Sequence, residues 1–195
     1  MITDHIHRLE ERIENCNDGR EVLAAHMLAN AYDIGQYNVP QDSRKAHELW
    51  IRAAAMGSRD AHYNLSLSYG LYHKERGVEK NDKKKLYHLE EAAMLGDAAS
   101  RCELGIYESD RGNWDKAKKH WMLSASAGCE GCLHRIKRGV QKGAVSKGEY
   151  KNTLRDYEES IKLTKSVQRN MAKKMLGKHM VSGPGGVNTS KELLK

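Results

Sequence analysis

Small and apolar residues recur every four positions along most of this chain. Ala24, Leu28 and Tyr32 form one row, Ala61, Leu65 and Tyr69 a second. Ser100, Leu104 and Glu108 make a third, and Cys132, Ile136 and Val140 a fourth. Spacing of i, i+4, i+8 puts each row on one helical face. The small residue admits a neighbouring helix, while Leu and Tyr fill the contact. A second helix follows each of the first three rows, marked by Ala46, Leu49 and Trp50, by Lys85, His88 and Leu89, and by Ala117, His120 and Trp121. These helices end in Ala53-Ala54 before Gly57, Ala92-Ala93 before Gly96, and Ser124-Ala125 before Gly128. Glycine there suits the left-handed backbone that often follows a helix.

The pairs of helices repeat. Val39 to Leu65 is echoed thirty-nine residues on by Val78 to Leu104. A period of this size marks a stacked array of helical hairpins, whose usual use is a binding surface. The connections vary in length while the rows persist, as a solenoid tolerates. The ends differ from the repeats. Ile6, Leu9 and Ile13 share one face of an N-terminal cap helix, and Ser146-x-x-Glu149 predicts a capping box opening a last helix. The expected organisation is a cap helix at 1–20, repeats at 21–145, a capping helix at 146–175 and a flexible tail at 176–195, where Ser182-Gly-Pro-Gly-Gly186 breaks any helix.

Composition narrows the function classes. Phe is absent and only two Pro occur, which suits helices packed through Ala and Leu. No apolar run is long enough for a membrane span, no secretory signal is evident, and four Cys are too few for a disulfide scaffold. A cytoplasmic location is therefore expected. The net charge of +7 is uneven. Residues 1–134 hold 18 basic against 21 acidic residues, and residues 135–195 hold 15 against 5. The positive excess belongs to the C-terminal third, which offers an alternative role in binding RNA or an acidic surface. Glu158-Glu159 interrupts it and no RNA-binding motif is present, so nucleic acid is not the expected partner.

These residues resemble the Sel1-like repeat, a relative of the tetratricopeptide repeat. The match runs through Ala24, Leu28, Tyr32, Gly35, Val39, Asp42, Lys45-Ala46, Leu49-Trp50, Ala53-Ala54 and Gly57, and again through Ala61, Leu65, Tyr69, Gly77-Val78, Ala92-Ala93 and Gly96. The third unit, with Leu104-Gly105, Gly112-Asn113 and Lys116-Ala117, is more like a tetratricopeptide unit, and the fourth is degenerate. The endings Lys119-His120-Trp121 and Lys165-Ser166-Val167-Gln168-Arg169 look like Sel1 proteins expanded in single-celled marine algae. The resemblance implies an all-α fold: a right-handed α-α superhelix, or Sel1-like/TPR-like solenoid, of three to four helical hairpins with capping helices. It also implies adaptor or scaffold work on a protein or peptide partner, with no catalytic activity and no cofactor.

In that fold the first helices line the concave face. The tetratricopeptide ligand positions, two before and two after each key Leu, carry over to His26 and Asn30, to Tyr63 and Leu67, to Cys102 and Ile106, and to His134 and Arg138. Such a groove would take a peptide or helix with an apolar anchor and an acidic flank. The other reading of these positions is packing between helices.

Cys129-Glu130-Gly131-Cys132 is the sharpest chemical signal. Two thiolates so spaced can hold zinc or form a redox pair. Further ligands would have to come from His134, His120 or Cys102. Against this, Cys132 stands where the repeat wants a small buried residue, and Cys packs well as one. The ten His are scattered, with no His-Glu-x-x-His, and most are expected to be exposed or half-buried.

Overall fold

A computed structural model of the chain describes residues 3–15 and 19–181. All regular structure among them is helical: α1 (Thr3–Asn15), α2 (Arg20–Ile34), α3 (Ser43–Ala55), α4 (Arg59–Gly70), α5 (Asp82–Met94), α6 (Ala98–Asp110), α7 (Trp114–Ser126), α8 (Glu130–Gln141) and α9 (Lys147–Val181).

Local chemistry sets where helices begin and end. The Asp42 carboxylate accepts from the backbone N–H groups of Arg44 and Lys45 at the start of α3. Thirty-nine residues later, Asn81 accepts from Lys84 at the start of α5. Ser58 and Asp97 cap α4 and α6 at the same offset. Each cap satisfies donors that the first helical turn leaves unpaired. The device lapses further on, since Asn113 and Cys129 precede α7 and α8 without a side-chain cap. At the hairpin ends Gly57, Gly96 and Gly128 take φ of 83°, 91° and 94°. The capping box forms as expected: Ser146 N–H donates to Glu149 at 2.8 Å, and Glu149 N–H donates to Ser146 Oγ at 3.2 Å.

The hairpins α2/α3, α4/α5 and α6/α7 stack in sequence, with α1 against α2 and α9 against α7 and α8. The core is correspondingly serial. Ile6, Leu9 and Ile13 join Leu28, Trp50 and Leu65 in one cluster; Leu89, Ala93 and Leu104 form a second; Trp121, Cys132, Ile136 and Val145 a third. Such arrays draw stability from neighbour-to-neighbour contacts. The Lys118–Glu149 pair at 2.9 Å ties α9 to α7. Hydrogen bonds from Ser146, then the lysine, hold the Glu149 carboxyl down to about 2. Beyond Ile161, Leu163, Val167 and Met171 follow at four-residue steps and stay exposed. The α9 helix runs to Val181, and residues 182–195, the rest of the expected tail, lie outside the described residues.

The longer connection of the second hairpin carries an unexpected buried cation. Arg76 is 6% exposed. It donates to the Asn64 carbonyl, to Ser68 Oγ and to the Asp33 carboxylate at 3.2 Å, and its guanidinium lies 4.4 Å from the centre of the Trp50 ring. One side chain thus joins α2, α3 and α4.

Candidate functional site

The C-terminal half contains a cleft built from three helices. Ser109 of α6, Trp114 and Trp121 of α7, Arg135, Arg138 and Gly139 of α8, and Lys142 just beyond it line a cavity of about 190 Å³. Trp121 is its floor, with Trp114 edge-on at 6.2 Å and Arg135 over the ring at 5.6 Å. Trp114 stays 46% exposed. The Trp121 Nε1–H is buried without an acceptor. None of the lining residues is acidic, so three cations face the space. Aromatic walls with unpaired cations suit a side chain that is apolar in its body and flanked by negative charge.

Gly105 makes the floor possible. A Cβ there would meet Nε1 and Cδ1 of the Trp121 indole. Gly105→Ala is expected to destabilise the chain by about 1 kcal/mol, because overpacking of about 2 kcal/mol outweighs the roughly 1 kcal/mol gained in helix propensity. Urea denaturation monitored by Trp fluorescence measures this. An unchanged or raised midpoint would mean that the indole is free to move.

The positions expected on the concave face have different fates. Arg138 lines the cleft, and His134, one turn earlier on α8, is exposed. Asn30 donates to His26 Nε2 at 3.0 Å and accepts from Trp50 Nε1–H at 3.3 Å, so its amide works inside the first hairpin. Tyr63 packs against Leu89, Ala93 and Leu104. Leu67 is half-buried. Cys102 and Ile106 pack on the third core cluster.

Stacking also assembles groups that are far apart in sequence. Cys102 of α6 meets Cys129 and Cys132 at the start of α8, with the three Sγ atoms within 4.8 Å of one another. Hydrogen bonding from Cys132 pulls the Cys102 thiol down, helped by Cys129 and the Arg135 guanidinium. The same contact and burial push Cys132 up. His120 and His134, the other ligands weighed for this pair, are not part of the cluster.

The histidines are less scattered than their spacing suggests. Most described histidines are exposed or half-buried as expected, but His47 and His62 are buried. His62 Nδ1 lies 3.0 Å from His88 Nδ1, His88 stacks on Tyr69 at 5.7 Å, and His47 meets Tyr69 edge-on at 5.4 Å. This cluster joins the first two hairpins. Its side chains come from α3, α4 and α5, which a linear reading does not bring together.

The family model for the Sel1 repeat matches residues 22–58 and 59–97, which are the α2/α3 and α4/α5 hairpins with their turns. Among solved structures, the chain is similar to a Sel1 repeat protein from Oxalobacter formigenes, with 23% identity and a TM-score of 0.59 over 71% of this chain and 57% of that one. It is also similar to c5321, a protective antigen of uropathogenic Escherichia coli displaying an SLR fold, with 17% identity and a TM-score of 0.59 over 80% of this chain and 38% of that one. The chain therefore spans less than two thirds of either structure. No protein of curated function matches it. Sel1 repeat proteins are typically protein-interaction scaffolds. No described helix is long and apolar enough to cross a membrane. Residues 22–58 and 59–97 match the Sel1 repeat, and the described residues form an all-α helical-repeat superhelix.

Proposed function

We propose that this chain is a non-enzymatic cytoplasmic adaptor whose cleft between α6, α7 and α8 takes a segment of a partner protein. The segment carries an apolar or aromatic anchor flanked by Asp or Glu. The supporting observation is the cleft itself: an exposed Trp114 beside a buried Trp121, with Arg135, Arg138 and Lys142 and no acid in the lining. Trp and Arg are the residues that most often carry binding energy at protein interfaces. His134, exposed one turn before Arg138, extends the same face, and Cys102 and Ile106 pack on the core cluster that holds Trp121, while His26, Asn30, Tyr63 and Leu67 belong to the first two hairpins.

Trp fluorescence titration with two short peptides tests this reading. One has a central Leu between acidic residues; the other has the same Leu between lysines. The acidic peptide is expected to bind, to weaken with salt, and to lose at least about tenfold in affinity, or 1.4 kcal/mol, in Arg138→Glu. Equal binding of both peptides would overturn the reading. So would a single-stranded oligonucleotide that binds more tightly and loses affinity when α9 is charge-reversed, because that points to the basic C-terminal third instead.

A further inference from the structure

Three thiols converge where the repeat needs only one small side chain. Cys132 fills that place and is fully buried. Cys102 and Cys129 are half-buried beside it, and all three are free. Their Sγ atoms lie within 4.8 Å of one another. Sulfurs around a tetrahedral zinc with bonds of about 2.3 Å stand about 3.8 Å apart. A contraction of at most about 1 Å, within the reach of small χ adjustments, brings the three to bonding distance.

The surroundings favour thiolates. Cys129 occupies the N-cap of α8 and Cys132 its first turn, and Cys129 makes no cap hydrogen bond. The positive end of a helix and its unpaired N–H groups stabilise negative sulfur. Arg135, one turn further along α8, adds a full positive charge. No histidine nitrogen or carboxylate oxygen joins the cluster among the described residues, which disfavours hard cations such as magnesium or calcium.

We propose that Cys102, Cys129 and Cys132 bind one Zn²⁺ through three thiolates, leaving the fourth position to water. Each protonated thiol releases its proton to solvent as its Zn–S bond forms, so affinity rises with pH. The ion clasps α6 to α8 across α7. A Cys-x-x-Cys pair acting alone has no use for Cys102, and that separates the two arrangements.

The test uses the full chain under reducing conditions, with Zn²⁺ followed by competition and Co²⁺ as the optical probe. One ion per chain is expected, with thiolate-to-cobalt charge-transfer absorption. Cys102→Ser should weaken binding more than about 100-fold, since loss of mere supporting contacts already costs 10–100-fold, and should remove one thiolate's share of that absorption. Cys129→Ser should weaken binding as strongly. Its apo form should melt at or above the wild-type temperature, because serine is a good N-cap, so lost binding there is not lost folding. The proposal is overturned if the reduced chain takes up no stoichiometric Zn²⁺, if Cys102→Ser binds like the wild type, or if copper(I) binds and zinc does not.

Discussion

Replacing Arg76 with alanine is expected to destabilise the fold by about 3–5 kcal/mol, the range for breaking a buried ion pair from one side. The Arg76 side chain is 5% exposed and its Asp33 partner 24%. Removing the guanidinium strands that carboxylate, takes one donor from the Ser68 hydroxyl and from the Asn64 carbonyl, which keep their bond to each other at 2.9 Å, and uncovers the Trp50 ring. The stem also packs, so Arg76→Met should recover part of the loss by refilling the space. Paired with Asp33→Asn it should recover more, since no lone charge remains. Because Arg76 joins the first hairpin to the second, its removal should broaden the urea transition as well as shift it, as expected when an array loses a neighbour contact. A loss below about 0.5 kcal/mol in Arg76→Ala would show that the guanidinium is solvated and that the interface stands without it.

Acidification should weaken the same interface between pH 6.5 and about 4. Burial, then the neighbouring His62, His47 and Lys84 charges, push His88 down to about 4. Burial likewise lowers His47, aided by Arg76 and Lys84, and lowers His62, against the opposing pull of Glu91. With folded-state values below the unfolded value, the unfolded chain binds more protons across this window, so stability rises with pH and falls as pH drops. For His88, the full effect is present above the unfolded value near 6.5 and is gone below about 4. Each tenfold change in proton affinity between the unfolded and folded chain corresponds to about 1.36 kcal/mol. Allowing for solvent screening of a half-buried ring, His88 should account for about 2 kcal/mol. The 3.0 Å contact between two Nδ1 atoms gives this its chemistry, since one ring must donate and the other accept. Two imidazolium rings cannot do so. Urea midpoints measured from pH 7.5 to 4 should fall steadily, and His88→Phe, which keeps the face against Tyr69, should flatten the slope. A flat profile in the wild type would mean that the cluster opens to water.

Much of the architecture was legible because it is local. The rows at Ala24-Leu28-Tyr32 and Ala61-Leu65-Tyr69 needed only helical spacing, and both stand in the buried core. Gly57, Gly96 and Gly128 announced their turns through a backbone conformation that few other residues adopt. Ser146 and Glu149 lie within one helical turn of each other, so their reciprocal bonds could be read directly. Arg76 could not be read in this way. An arginine in a long polar loop resembles any solvated cation, and its burial depends on Asp33 and Trp50, which belong to the preceding hairpin.

By itself, the amino-acid order determined the hairpins and the Ser146 capping box, which rest on residues three to eight positions apart, and the period, which shows as a direct echo thirty-nine residues on. It also determined that the positive charge sits after residue 134. Only the stacking decided which side chains share a site. It brought Cys102 to Cys129 and Cys132, His47 and His62 to His88, and Trp114 and Trp121 to the cations of α8. It also turned Asn30 inward, toward Trp50. The physical reason is that neighbouring hairpins meet through contacts between residues tens of positions apart. The repeat pattern records that such contacts exist, and packing alone decides which groups make them.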